Sequence, residues 1–546
     1  MLCMMTALPM LAGNTNENRR RLLGASDENP VDATWLITNP SFETGDLTGW
    51  TMTPSEGSDM GARDYALSDR DGNFEANLYT WWSGVAIEQV VGEVPAGIYE
   101  VSALVATWEG YTVNFYANDH MVSAAGQGDE TGIRLATTVI VGNDGRLSIR
   151  ADRTDINWWA EGRTDPYATQ GFLKLDDVRL ACKGLLDVSE QSDFTAAALN
   201  VDGLPSLINS DGPGSKGTKL ISTYLKNKGY DIIGFSEDFE YHDELKSNMT
   251  GYSWGTYRGS VNVLNLFSPA NTDGLEFAWN TNTVSVTNES WTQWSHSESG
   301  DGNQYIKKGF RHYDMTLDAG QVIDVYVLHM DAGDVPQSRE QQWSQMADVV
   351  NAADPNRPKL IIGDTNSRWT REEIKGNFTD RLTTMTAKDA WVEMRREGVY
   401  PTTAMNDLAD QTFVNSLGTY EVVDKILYLN PTAENTLQLV PRGFRLEQDY
   451  TYGTVEGTDN GTQLGDHRPL AVDFSCMRYK KVTTKIGDVN RDGSITIADL
   501  TAQVNLILGN DAQDASDYDC DAADMNADGE VTTKDIEPLV NLLFDK

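Results

Sequence analysis

Four apolar runs of this 546-residue chain end on polar side chains suited to chemistry. FTAAALNVDG carries Asn200 and Asp202, YDIIGFSED carries Glu237, VIDVYVLHMDAG carries His329 and Asp331, and KLIIGDTN carries Asp364 and Asn366. Two later runs place the polar group first: VVDKILYL with Asp424, and GDHRPLAVDF with Asp466 and His467. Any one of these reads as a strand-end turn, since Asp and Asn tolerate tight backbone geometry. Six of them can share one edge of a layered β structure, because the start of one antiparallel strand lies beside the end of its neighbour. The groups so gathered suit hydrolysis of a phosphate ester. Carboxylate and amide oxygens hold a hard divalent cation such as Mg²⁺. A further carboxylate orients and deprotonates water, and histidines donate to the phosphoryl oxygens where charge grows. No cysteine or elbow serine offers a covalent route.

A second constellation lies near the C-terminus. DVNRDGSITIAD (488–499) and DMNADGEVTTKD (524–535) are twelve-residue loops starting 36 residues apart. Oxygen donors stand at positions one, three, five and twelve: Asp488, Asn490, Asp492 and Asp499, then Asp524, Asn526, Asp528 and Asp535. Glycine at position six permits the sharp turn by which such a loop wraps Ca²⁺. Apolar residues at helical spacing follow each loop: Leu500, Val504, Ile507 and Leu508, then Ile536, Leu539, Val540 and Leu543. Two structural Ca²⁺ ions are expected.

These groups need scaffolds. The length calls for several domains, and 14 Trp with 21 Tyr mark a globular chain. A net charge of −39 argues against a broad basic face for nucleic acid. From 33 to 182, short alternating segments such as GIYEVSALVATW and YTVNFYAN, separated by Gly, Asp and Asn, read as a β-sandwich. Trp81, Trp82, Trp108, Trp158 and Trp159 either form a platform for sugar rings or fill its core. The opening MLCMMTALPMLAG has the size of a signal-peptide apolar region without its basic start, so residues 1–32 read as a truncated secretion signal and linker. No later stretch reaches the length of a membrane helix. With Cys3 in the leader, Cys182, Cys476 and Cys520 remain. Cys182 and Cys476 either stay as buried thiols or staple the two ends of the 190–476 segment.

Three resemblances sharpen this reading. NPSFETGDLTGW (39–50) and GFLKLDDVRL (171–180) resemble the ends of galactose-binding-like jelly rolls of carbohydrate-binding modules, which implies a glycan partner. The duplicated tail (485–546) resembles a type I dockerin, a pair of calcium loops and helices that docks to a cohesin module. The six polar clusters resemble, in order and spacing, the endonuclease/exonuclease/phosphatase superfamily over nearly all of 194–475, within a domain read as 190–476. That implies a two-layer β-sandwich flanked by helices. It also implies Asn200 and Glu237 as Mg²⁺ ligands with Asp202 and Asp466 beside the metal, and His329 on the phosphate. Asp364 would be the general base, Asn366 would position water, and His467 would be oriented by Asp424. SED replaces the commoner Gln-Glu and GDH the commoner Ser-Asp-His, and neither change removes a needed group. EDFEYHDELKS and KKGFRHYDM point to a secreted branch related to neutral sphingomyelinases, with Lys308 and Arg311 as candidate flanks of the substrate anion.

The expectation is therefore a secreted, Mg²⁺-dependent phosphodiesterase or phosphatase carried between a glycan-binding module and a docking tail. An extracellular nuclease is the nearest alternative. A non-catalytic adhesin is the alternative from another class, and it requires catalytic groups to be missing.

Overall fold

The computed structural model describes residues 12–81, 83–153, 170–261, 272–408, 421–433, 435–452, 463–482, 485–509, 518–526 and 530–544. The chain forms two compact units, Met1–Val188 with Lys480–Lys546, and Ser189–Tyr479.

In the first unit, two antiparallel sheets enclose one core. Five strands, led by Val85–Val91 and Leu147–Arg153, make one sheet. Asp59–Arg63, Glu75–Thr80, the first part of Gly171–Asn200, Gly97–Ala106 and Ile133–Val141 lie side by side in the other. Period-two alternation sends Ile87, Phe115, Ile149, Leu78, Val101 and Leu173 into the core. Of the segment read as leader and linker, residues 1–11 lie outside the described residues. Ala12–Arg21 is a helix, and Leu22 and Ala25 pack into the sandwich core. Apolar side chains that can reach a core are stabilised by leaving water, whatever their place in the sequence.

The LDD of GFLKLDDVRL shows how a polar motif can be buried. Asp177 pairs with Arg134 and Arg179, while Asp176 accepts from the Asp71 amide at 2.8 Å and has an unpartnered Oδ1. Burial lifts Asp176 to about 7. The folded state thus holds this proton up to about pH 7, whereas the unfolded chain releases it near pH 4. Its contribution to stability therefore falls as pH rises across that window. Asp176→Asn should melt above the parent at pH 8, with the gap closing toward pH 5. Equal melting temperatures at pH 8 would show that the buried carboxylate is accommodated without cost.

Within the same unit the tail carries helices Ile497–Leu508 and Ile536–Phe544, as the spacing predicts, around Val489, Ala502, Tyr518, Ala523 and Leu539. Leu508, expected on the apolar face, is exposed.

The second unit stacks two sheets of six strands. One has the order Tyr252–Trp254, Glu276–Asn280, Ile232–Ser236, the end of Gly171–Asn200, Leu470–Lys481, Leu437–Leu446. The other runs Val284–Gln293, Gly309–Leu317, Val322–His329, Lys359–Asp364, Asp424–Pro431, Met385–Asp389. Ala196 and Ala198 face the inter-sheet core. Ala197 and Leu199 face helix Gly214–Lys228 through Ile221 and Leu225. Helix Pro336–Ala352 packs Trp343, Met346 and Val350 into the inter-sheet core cluster. Cys182 and Cys476 are free, buried thiols, so the stapled alternative does not hold. Each fills an apolar position in its own unit's core.

Candidate active site

Register places the polar clusters at one edge. Asn200 pairs with Ser236 in a parallel ladder, so Glu237 follows directly beside it. His329 pairs with Asp364 in a second parallel ladder, and Asp364 pairs with Asp424 across an antiparallel one. Gly363 makes the close strand approach before Asp364 feasible: its φ is +143°, and a Cβ there would lie 2.0 Å from the Leu328 carbonyl oxygen. Asp202, Glu237 and Asn366 hold φ of +48°, +60° and +47°. Left-handed backbone at three non-glycine residues of one cluster is strain that the surrounding fold must impose.

Asp364 is the hub. Its Oδ1 accepts from the Asn366 amide at 2.9 Å and its Oδ2 from Asn200 Nδ2 at 3.1 Å. His329 Nε2 lies 3.6 Å and His467 Nε2 4.0 Å from the same Oδ2. Burial opposes ionisation of Asp364, but the charge of His467, and after it that of Lys308, holds it below the usual carboxylate range. His467 Nδ1 is 2.5 Å from Asp424 Oδ2. Although desolvation resists it, the charges of Asp424, Asp364 and Asp466 raise His467 far above an ordinary imidazole. His329 is the opposite case: burial and the neighbouring Lys308 push it down to about 3. A neutral His329 accepts from Lys308 Nζ at 2.9 Å, and Lys308 also donates to the Met330 carbonyl at 2.9 Å.

Asp202 and Glu237 stand close by: the Asp202 amide donates to Asn200 Oδ1 at 3.0 Å, and Glu237 Oε1 lies 3.9 Å from His329 Nε2. Burial, then repulsion from Asp466 and Glu237, lifts Asp202 to about 7. Glu237 is raised as well, first by burial. Asp466 is exposed and acts on both through its charge. Several carboxylates that raise one another beside an amide oxygen form an oxygen-only donor set. A hard divalent cation suits such a set and would relieve its repulsion.

One sequence expectation changes here. Arg311 does not flank the cluster as a free cation: it is buried, bonded to Asp273 at 2.8 and 3.0 Å and to Glu289 at 3.0 Å. A guanidinium taken out of water needs carboxylates on its fork, and these occupy it. Asp331 also turns away, accepting from Ser297, Ser338 and the Glu298 amide. Sequence reasoning missed a buried neighbour of the site, where Asp238 meets His242 at 2.5 Å with Glu276 close by. The four-residue offset of Asp238 and His242 was its only signal.

In the tail, the position-twelve aspartates organise both loops identically. Asp499 accepts from the Asn490 and Thr496 amides at 3.1 and 2.8 Å, and Asp535 from the Asn526 and Thr532 amides at 3.0 and 2.8 Å. Asp488 accepts from the Asp492 and Gly493 amides, Asn490 donates to Asp492, and Asp524 takes an ion pair from Arg20. Asp528 lies outside the described residues.

Residues 486–544 match the family model of the dockerin type I domain. The tail is a type I dockerin. The chain is also similar to sphingomyelinases of Mycobacterium bovis and Mycobacterium tuberculosis, each 26% identical over 285 residues, 52% of this chain and 52% of the relative. It thus spans about half the length of the curated relatives it matches. Among solved structures, an endonuclease/exonuclease/phosphatase from Bacteroides vulgatus has 15% identity and a TM-score of 0.36, covering 52% of this chain and 98% of that one. The human Nocturnin catalytic domain with bound sulfate anion has 17% identity and a TM-score of 0.37, covering 53% and 97%.

Proposed function

We propose that the second unit is a divalent-metal-dependent phosphoric ester hydrolase, with sphingomyelin-type phosphodiesters as its leading substrate class. The observation that carries this is the meeting of Asp364 with Asn200, His329 and the Asp424–His467 pair at the strand ends. The dockerin tail would bind two Ca²⁺ and a cohesin module, which suits a secreted protein, and the N-terminal sandwich would hold a glycan. In the hydrolase site, Asn200 and Glu237 would hold Mg²⁺, with Asp202 and Asp466 beside it; the cation supplies positive charge against the phosphoryl oxygens. Asp364, ionised by its cationic neighbours, accepts the proton of the attacking water while Asn366 helps to position it. His467, already an imidazolium, keeps its Nδ1 on Asp424 and offers its Nε2 proton to a phosphoryl oxygen as charge builds. Lys308 places a buried donor on His329 and fixes the ring that faces the phosphate. Water attack forms one P–O bond, the ester P–O bond breaks, and the leaving alkoxide takes up a proton.

The similarity to sphingomyelinases favours a phospholipid headgroup over nucleic acid as the ester. A panel of sphingomyelin, phosphoinositides, DNA, RNA and simple phosphomonoesters, each with Mg²⁺ and with chelator, tests the reading. Chelator-sensitive turnover of sphingomyelin, exceeding that of DNA, is the expected result. Faster cleavage of DNA makes the protein a nuclease, and no turnover of any ester leaves the adhesin reading standing.

A further inference from the structure

The outward face of one sheet in the N-terminal sandwich is built unlike a surface that only meets water. Alternation along Glu75–Thr80 sends Ala76 and Leu78 into the core and Asn77 and Tyr79 outward. Their partners on the Gly171–Asn200 strand, Lys174 and Phe172, point outward too, so the register sets Tyr79 against Phe172 and Asn77 against Lys174. Asp59 pairs with Tyr79 from the other side. An aromatic row therefore crosses the sheet beside a polar one.

Trp108, just past the end of Gly97–Ala106, continues that row. Its ring stacks on Phe172 with centroids 4.8 Å apart and planes at 15°, and meets Tyr79 edge-on at 5.9 Å. Trp81 lies 5.4 Å from Tyr79 and is 50% exposed, and Tyr65 is 44% exposed. Tyr65, Tyr79, Trp108 and Phe172 line an open pocket of about 360 Å³, with Trp81 outside its lining. Its polar lining is held in place. The Asp59 carboxylate accepts from the Tyr65 hydroxyl at 3.0 Å and from Asn77 Nδ2 at 3.3 Å, while Lys174 Nζ donates to the Ala66 carbonyl at 2.7 Å. Asp129 and Glu130 join the lining from the loop that precedes Ile133–Val141.

We infer that this pocket binds a neutral pyranose unit of a polysaccharide. The C–H face of a pyranose is apolar and stacks on aromatic rings, and its equatorial hydroxyls both donate and accept. Asp59, Asp129 and Glu130 supply acceptors, and Asn77 and Lys174 supply donors. Arg63 meets the Asp59 charge at 2.7 Å, and the two remaining carboxylates, Asp129 and Glu130, repel a uronic acid or sulfated sugar. A quaternary ammonium suits an aromatic and acidic pocket in general, but here Lys174 Nζ already lies 5.6 Å from the Tyr65 ring centroid, so a second cation would be repelled. The volume suits one or two sugar units of a chain.

This assignment deepens the glycan reading of the N-terminal sandwich and does not depend on the hydrolase site. The test is native affinity electrophoresis of the full chain through gels containing hydroxyethylcellulose, mixed-linkage β-glucan, galactomannan or, as the anionic control, polygalacturonate. Competition by free choline is run alongside. Retardation by at least one neutral polysaccharide is expected, and not by polygalacturonate. Trp108→Ala and Tyr65→Ala should each weaken it by about tenfold or more, the scale of a lost aromatic anchor. Tyr65 is exposed enough that its truncation leaves the fold intact, and thermal melts of both variants check this. Retardation unchanged in both variants overturns the pocket while leaving glycan binding by the module in place. No retardation by any neutral polysaccharide overturns both. Binding to polygalacturonate, or loss of binding with choline, overturns the neutral-sugar assignment.

Discussion

Replacing Asp364 by Asn should lower turnover by about two orders of magnitude or more, the usual scale for loss of a general base, with cation affinity nearly intact. The substitution preserves shape and an oxygen that can accept the Asn366 amide. It removes the charge that His467, foremost, keeps ionised and, with it, the proposed proton acceptor. Glu237→Gln should fail differently, weakening Mg²⁺ so that excess metal recovers part of the activity. His467→Ala should lose turnover without recovery, because its imidazolium would act on phosphoryl oxygens rather than on the metal. Steady-state rates against Mg²⁺ concentration separate the three. If these were only strand-end turn residues, each variant would lose some stability and keep its activity per folded molecule. A fully active Asp364→Asn protein would end the assignment of the base.

Calcium should decide whether the dockerin tail is folded. Residues 485–546 carry 14 acids against 4 bases, and the buried core cluster in the described part of the tail has only five members. So small a core contributes little against chain entropy, and clustered aspartates repel until a cation is bound. Ion binding would then appear directly as folding stability. In millimolar Ca²⁺ the tail of the full chain should resist limited proteolysis, and in chelator it should be trimmed back to about residue 485 while the rest of the chain persists. Equal protection in both conditions would sink the idea. Asp499→Ala should act like partial chelation, because Asp499 closes the first loop through the Asn490 and Thr496 amides as well as offering an oxygen to the ion.

Much of this was legible in the residues. The calcium loops declare themselves because their donors, glycine and closing aspartate sit within twelve consecutive positions, where local geometry alone fixes the contacts. The six strand-end clusters were visible for a similar reason: an apolar run that stops on a carboxylate or an imidazole breaks the pattern of its own strand. What the sequence could not decide was which of those groups meet. His329 and Asp331 are two residues apart, yet one faces Asp364 and the other is taken by Ser297, Ser338 and the Glu298 amide. Lys308 and Arg311 looked alike as basic residues near a candidate site. Only packing placed the first on His329 and buried the second among carboxylates. Cys182 and Cys476 had the right positions for a staple and fill two separate cores instead. Side-chain type and local spacing thus determined the chemistry on offer. Register between strands far apart in the chain, parallel for His329 with Asp364 and antiparallel for Asp364 with Asp424, decided which groups share a site, because only the assembled sheets bring the three side by side.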